Sequence, residues 1–593
     1  MSAGYWQGLM GRRRSRRSFV GGVGATAAVL ALGACSSDGD PSSDGGDGGG
    51  GLLSRRENTT SKAVPGGTYA SFFSSEPRTQ QSVIPNIVGR VYSRLLQYKL
   101  GVLGVAPREL EGDLTESWEV SRDGMQYTFK LRPDAKWDPR PPTNGRTLTA
   151  EDVVYTWQRF EQVNPNRSDL ANSVSSAAPI LTMQAPDSRT VVVKLAFPST
   201  IAIYYLATHA RFFILPAEAG SQFNPDNEAR GSGPFMIKDY TPSVGLEYVK
   251  NPNWYRKDRP FLDGWSTPIL TEYAQRLAQF RAGNIWGGGV SQEDIITTKR
   301  DLPQLLMHLD DEYSYIGQYM HFGFAGNSPW KDDRVRRAAS MLIERKTLGE
   351  VLNNVQEFEA EGLHRQDRWA SHIPNGFDGA WLDPQGNELG EGAANFKYNP
   401  QESRRLLDAA GYAGRKVESI ALYGGNLAER PIAAMIGMIN EGGFNLKQTL
   451  AASLNAGAGY TPFIRSGGDF EGCGFYALGA VAGIPQVIFS AYHRQGAWNL
   501  SNTTLSPNGD SQLNSMIEAS TREFDTEKQT GLIKDVQKYL AKTMAPVPVA
   551  VNYQPFSLTW PFVGNAGVFR HDQQTLYDSP DSEIHLWYDR SKA

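Results

Sequence analysis

Residues 114–160 read LTESWEVSRDGMQYTFKLRPDAKWDPRPPTNGRTLTAEDVVYTWQRF, and the order of residue types in that stretch sets the expectation for what surrounds it. Trp118 and Val120 alternate with Glu119 and Ser121, Asp123-Gly124 tolerates the positive φ of a tight turn, and Tyr127 to Leu131 resumes a period of two. Those features predict a β-hairpin. Pro139, Pro141, Pro142, Asn144 and Gly145 follow Trp137, a run that neither a helix nor a central strand accepts. Thr149 with Asp152 three residues on is a capping-box pattern, and Val153, Val154 and Trp157 give the helix behind it one apolar face.

Hairpin, loop and capped helix in this order resemble the signature of family 5 extracytoplasmic solute-binding proteins, the peptide- and nickel-binding components of ABC importers. Members carry L-x-E-S-W-E-V-S-x-D-G-x-x-Y-T-F-x-L-R-x-x-x-K-W, an insert, and then T-A-E-D-V-V-Y-T-W. Further blocks resemble the family at Gly231-Ser232-Gly233-Pro234-Phe235, Phe261-Leu262-Asp263, residues 279–285, Asp333 to Ala338, and Tyr398-Asn399-Pro400 to Tyr412. Two positions depart from it. Gln80-Gln81 follows Glu76-Pro77-Arg78-Thr79 where Leu-Asp is usual, and Trp286 stands where an Asp is usual.

The resemblance implies an α/β, two-lobed periplasmic-binding-protein-like fold of cluster C type, with an extra domain, closing on a ligand by a hinge. It implies lobe I from residues 66–92, 228–305 and 555–593, extra domain II from 93–227, and lobe II from 306–554. In peptide-binding relatives an acidic residue of the second lobe pairs with the ligand's terminal amine. Asp469 and Glu471 are the candidates in this region, although they precede the usual anchor position, and Phe475, Tyr476 and Trp498 are candidates to stack on a ring-bearing or apolar ligand. Each of these aromatics reads equally well as core. A peptide is the first expected ligand, with glycosides, opines, metal chelates and haem as alternatives.

Local signals beyond the central stretch are fewer. Val88, Val91, Tyr92, Leu95 and Leu96 fall at helical spacing. Asn399 as cap, Pro400 in the first turn and Gly411 as terminator frame a second helix, and Asp525 caps a third before Pro546 and Pro548.

The first residues differ in composition from the rest. Arg12, Arg13, Arg14, Arg16 and Arg17 precede an apolar run from Phe19 to Leu32 and then Gly33-Ala34-Cys35, the layout of an export signal over residues 1–35. Arg16-Arg17 resembles a twin-arginine motif, and Leu32 to Cys35 resembles a lipobox in which Cys35 carries lipid. An uncleaved anchor with an incidental cysteine is the competing reading. The Gly/Ser/Asp-rich residues that follow, extended to 36–65, read as a flexible tether.

The 593 residues contain 59 basic and 63 acidic side chains, a net charge of −4, and removal of the five leader arginines takes it to −9. No basic stripe offers itself to nucleic acid. Cys35 and Cys473 are the two cysteines, so lipidation of the first leaves no intramolecular disulfide.

No GxSxG, P-loop or HExxH pattern is present, and Gly472 to Ala477 matches GxGxxA without a following acidic residue at the expected distance. Cys473, the pair His364 and His372, and Arg334 with Arg336 all read as structural. The expectation is therefore a non-enzymatic, monomeric binding protein outside the cytoplasm. It has no cofactor or metal, is tied to the membrane by N-terminal lipid, and serves an ABC permease; an extracytoplasmic hydrolase on the same scaffold is the rival.

Overall fold

The computed structural model describes residues 51–76, 85–104, 109–208, 212–310, 316–377, 379–423, 429–450, 468–479, 483–499, 509–570 and 580–593. Arg16, Arg17, Cys35, the Gln80-Gln81 departure and nearly all of the Gly/Ser/Asp run lie outside that set. In chain order the elements used below are β1 (Thr68–Ala70), α1 (Pro85–Val91), β2 (Thr115–Val120), β3 (Gln126–Leu131), α2 (Ala150–Val163), β4 (Ile180–Asp187), β5 (Thr190–Leu195) and α3 (Thr200–Tyr205). They continue with β6 (Phe235–Thr241), β7 (Gly245–Lys250), β8 (Gly264–Pro268), β9 (Leu306–Leu309), β10 (Ile316–Phe322), α4 (Asp333–Met341), α5 (Pro400–Leu407), β11 (Val417–Tyr423) and β12 (Phe444–Leu450). The remainder are β13 (Cys473–Gly479), α6 (Ile484–Tyr492), α7 (Ser511–Arg522), α8 (Thr526–Thr543), β14 (Val547–Pro548), β15 (Phe556–Thr559) and α9 (Pro580–Glu583).

Three sheets divide these elements into two lobes and an inserted domain. The first lobe carries the order β1-β8-β7-β6, and the second carries β12-β11-β13-β10-β14. The insert is the antiparallel sheet β2-β3-β5-β4. Its hairpin forms as expected: Trp118 pairs with Phe129 and Val120 with Tyr127, and Gly124 takes φ +68° in the turn. Tyr127, Phe129 and Leu131 are fully buried on one face.

The proline loop and α2 are tied to each other by one carboxylate. Asp152, 1% exposed, caps its own helix by accepting from Thr149 N (3.0 Å). It also accepts from Trp137 Nε1 (3.1 Å), from both terminal nitrogens of Arg146 (2.8 and 2.6 Å) and from Ala217 N (3.0 Å).

The chain passes between the lobes through a short ladder, β9 antiparallel to β15, with Leu306 opposite Thr559 and Leu309 opposite Phe556. Phe280, Ile285, Met307, Phe358 and Phe556 pack around it as a separate apolar cluster. Residues 54–59, expected inside the tether, instead lie against the body. Ser54 N donates to Met307 O (2.7 Å), Arg56 bonds Leu309 O (3.1 Å), and Thr59 Oγ1 accepts from Trp587 Nε1 (2.9 Å). Polar side chains able to reach a free strand edge make this segment part of the fold.

The helical reading of residues 88–96 also needs correction. The helix stops at Val91, and Leu96 begins a strand pairing with Gly112. The backbone N of Arg94 turns out of the helix to donate to Asp113 Oδ2 (2.9 Å), an acceptor nineteen residues away that local spacing does not reveal.

Replacing Asp152 with alanine strands Trp137 Nε1 and removes the α2 cap while Arg146 keeps Glu218. Urea denaturation should show a loss of about 2–4 kcal/mol; a change below about 0.5 kcal/mol contradicts the assigned role.

Candidate functional site

In the second lobe β11, β12 and β13 run parallel, so Tyr423, Leu450 and Gly479 end on one edge of the sheet, where Ile316 of antiparallel β10 pairs with Gly479. The crevice outside the carboxyl ends of parallel strands is where open α/β sheets take ligands. In the first lobe β1 and β8 are parallel, and the chain leaving β1 is pinned by Glu76, which accepts from Tyr240 Oη and from Ser243 N (2.9 Å).

The five sequence candidates do not converge on that edge. Asp469 and Glu471 are exposed and precede β13, whose first residue Cys473 is level with Ala421, two residues short of the end of β11. Glu471 is eight residues from Gly479, roughly 26 Å along an extended chain. Phe475 is 1% exposed and pairs with Met320, on the sheet face away from Tyr476. Trp498 is half-buried and held by its indole N–H on Asn166 Oδ1 (3.3 Å). Tyr476 alone of the five lies beside other polar rings near the carboxyl edge, opposite Tyr319 and 6.2 Å from the ring of His321.

His321 was not singled out in the sequence. It is fully buried, and the Tyr319 hydroxyl beside it has no hydrogen-bond partner. Burial pushes its pKa down to about 3, offset in part by the Tyr476 backbone. His372 is likewise fully buried, bonded through Nε2 to Pro546 O (3.0 Å), and burial takes it down to about 3. Only the alternation of Tyr319 with His321 in a strand pattern hinted that the two share a face.

Cys473 is fully buried and its thiol is pushed up by desolvation. Arg334 pairs with Asp332 (2.6 Å), and Arg336 is buried with its Nε on Thr543 O (3.0 Å). Trp286 packs against Tyr588 (4.9 Å between ring centroids), Phe562 (5.1 Å) and Tyr69 (5.4 Å); the departure from Asp thus builds an aromatic cluster in the first lobe. Among the described residues no group of three or more His, Cys, Asp or Glu is placed to hold a metal ion, and no helix is long and apolar enough to cross a membrane.

Residues 109–451 match the family model described as bacterial extracellular solute-binding proteins, family 5 (middle). A Brucella ovis protein named for ABC-transporter peptide binding is 28% identical over 351 residues, 56% of this chain and 59% of that one. Heme-binding protein A of Haemophilus influenzae is 26% identical over 413 residues, 65% of this chain and 68% of that one. The structure of the periplasmic binding protein DppA from Helicobacter pylori, in complex with the peptide STSA, superposes with a TM-score of 0.71 at 16% identity, covering 90% of this chain and all of the other. The fold is therefore the two-lobed α/β fold of these binding proteins.

Because both imidazoles stay neutral when folded and protonate near pH 6.5 when unfolded, they bind fewer protons in the native state between about pH 6.5 and 3. Stability from their burial is complete above about pH 6.5 and drains as pH falls through that window. His372→Gln should flatten the acid side of the stability curve by about 1.4 kcal/mol per pH unit relative to the unsubstituted protein. Parallel curves from pH 7 to 4.5 contradict a buried neutral imidazole.

Proposed function

The chain belongs to family 5 of the bacterial extracellular solute-binding proteins, and we propose that it captures a solute between its two lobes outside the cytoplasmic membrane and delivers it unchanged to an ABC permease. What carries this reading is the family match over residues 109–451 on a chain whose two lobes are joined by a ladder only four residues long. A short ladder bends where a broad sheet resists, and bending lets two lobes close on a ligand.

We assign the ligand to the peptide class, oligopeptide or dipeptide. Support comes from the names of the Brucella ovis relative and of the peptide complex that shares the fold. Haem is the second class, because a heme-binding protein matches over a longer stretch of the chain. Tyr476 is carried forward as a ligand contact. Asp469 and Glu471, four and two residues before β13, are placed behind Tyr476 as candidate contacts. We assign 1–35 as a twin-arginine export signal, read through Arg16 and Arg17 and ending at Cys35, which carries the lipid, and the lobes to the segments given by the sequence. No catalytic step is assigned, and the working unit is a monomer.

Residues from Gly49 onward form one compact unit, so a soluble protein starting there is suited to thermal unfolding against synthetic di- to tetrapeptides, haem and iron chelates. A ligand at a hundred times its dissociation constant should stabilise the native state by about 2.7 kcal/mol. Peptides recovered intact support the assignment, a response to haem alone replaces the ligand class, and recovery of cleaved peptides turns the reading to a hydrolase. Tyr476→Ala should weaken the stabilising ligand about tenfold. In a bacterial host Cys35→Ser should abolish incorporation of labelled fatty acid and release the protein from the membrane.

A further inference from the structure

The inserted domain is covalently continuous with the first lobe, yet it is hydrogen-bonded to the second. Asp169 ends the helical turn after α2 and is fully buried. Its carboxylate accepts from Ser490 Oγ (2.8 Å) and Ala497 N (2.7 Å) across the junction, and from Tyr205 Oη within its own domain. Gln495 Oε1 accepts from Ser175 Oγ and Ala177 N (both 3.1 Å). At the other end of the junction Thr200 Oγ1 donates to Thr521 O (3.0 Å) and accepts from Gln529 Nε2 (2.9 Å). There Arg522 lies 4.6 Å from the centre of the Phe197 ring.

The insert is fastened to the first lobe by a different set of contacts. Asp138 N donates to Gly231 O (2.8 Å), Arg140 Nη1 to Ile237 O (2.6 Å), and Asn253 Nδ2 to Trp137 O (2.9 Å). When the lobes turn about β9 and β15, the insert therefore travels with the first lobe. The bonds to Ser490, Gln495, Ala497 and Thr521 exist only while the lobes stand as they do here. Short polar side chains and backbone groups make these bonds, and beside them Ile201 and Tyr205 of α3 share one apolar cluster with Val487 of α6 and Ile517 of α7.

We propose that the arrangement seen here is the closed one and that Asp169, with Gln495, is an affinity-determining latch: it favours that arrangement from outside the ligand cleft and so raises ligand affinity without touching the ligand. The proposal rests on capture by lobe closure. A protein binding only in its closed form has an apparent dissociation constant equal to the intrinsic one divided by the closed fraction, so a weakened latch lowers affinity for every ligand by one common factor.

Hydrogen–deuterium exchange tests the latch without any ligand, using the amides of Ala497 and Ala177 as reporters, with Asp169→Asn and Gln495→Ala as variants. Gln495→Ala keeps the experiment decisive if Asp169→Asn does not fold. Peptides covering 493–499 and 171–178 should exchange at least tenfold faster in either folded variant, while 126–131 in the hairpin stays unchanged and small-angle scattering shows a larger radius of gyration. Unchanged exchange at both junction peptides, or equal acceleration in the hairpin, overturns the latch. In a second arm the synthetic peptide pool should bind each variant about tenfold more weakly, and saturating pool should restore slow exchange. Silence of the pool towards the unsubstituted protein bears on the peptide assignment, and the ligand-free exchange still decides the latch.

Discussion

Four residues on each of two strands carry the chain between the lobes. Leu306–Leu309 and Phe556–Thr559 pair with each other and belong to neither large sheet, so no third strand of either sheet resists a change in their twist. The apolar cluster around them includes Phe280 from one lobe and Phe358 from the other, with Phe358 stacked on Phe556 at 4.7 Å. Such packing tolerates rotation about the ladder far better than separation across it. Residues 54–56 lie along β9 and bond its backbone, so the chain arriving from the N-terminus is fixed near the pivot.

Away from the pivot, buried charge is used to weld. Arg90 is held by Glu583 through two bonds (2.7 and 2.8 Å) and lies 4.2 Å from the centre of the Trp265 ring, which locks α1 between the first-lobe sheet and α9. Arg345 is fully buried and donates to the carbonyls of Ser340, Phe396 and Pro548; burial pulls its pKa down to about 9. Its planar fork satisfies several carbonyls at once, which a lysine at the same place does not. These groups sit inside lobes, where nothing has to part.

What the sequence made legible was what neighbours in the chain decide. The hairpin at Asp123-Gly124, the capping box at Thr149 and Asp152, and the helix from Asn399 through Pro400 are all local, and each formed where expected. The central stretch also reads well for a less local reason. Trp137 and Arg146 both bond Asp152, so the loop before the helix and the helix cap are fixed by the same carboxylate. The site was less legible. Asp469 and Glu471 drew notice as acids in the right region, but only the register of β13 against β11 shows that they start the strand and do not end it. His321 and Asp169 acquire meaning from groups far away in sequence: Asp169 and Ser490 are 321 residues apart.

The same distinction accounts for where polarity is concentrated. A binding protein that stayed shut would never load, and one that never shut unaided would lose affinity in proportion to its rare closed state. The interface that parts should therefore be worth little net free energy, and hydrogen bonds exchangeable with water meet that condition better than a purely apolar seam. The junction between the insert and the second lobe combines both kinds of contact: Asp169, Ser175 and Thr200 bond across it, and Ile201 and Tyr205 of α3 share an apolar core with Val487 of α6 and Ile517 of α7, while the β9–β15 ladder is packed with Phe280, Met307, Phe358 and Leu558.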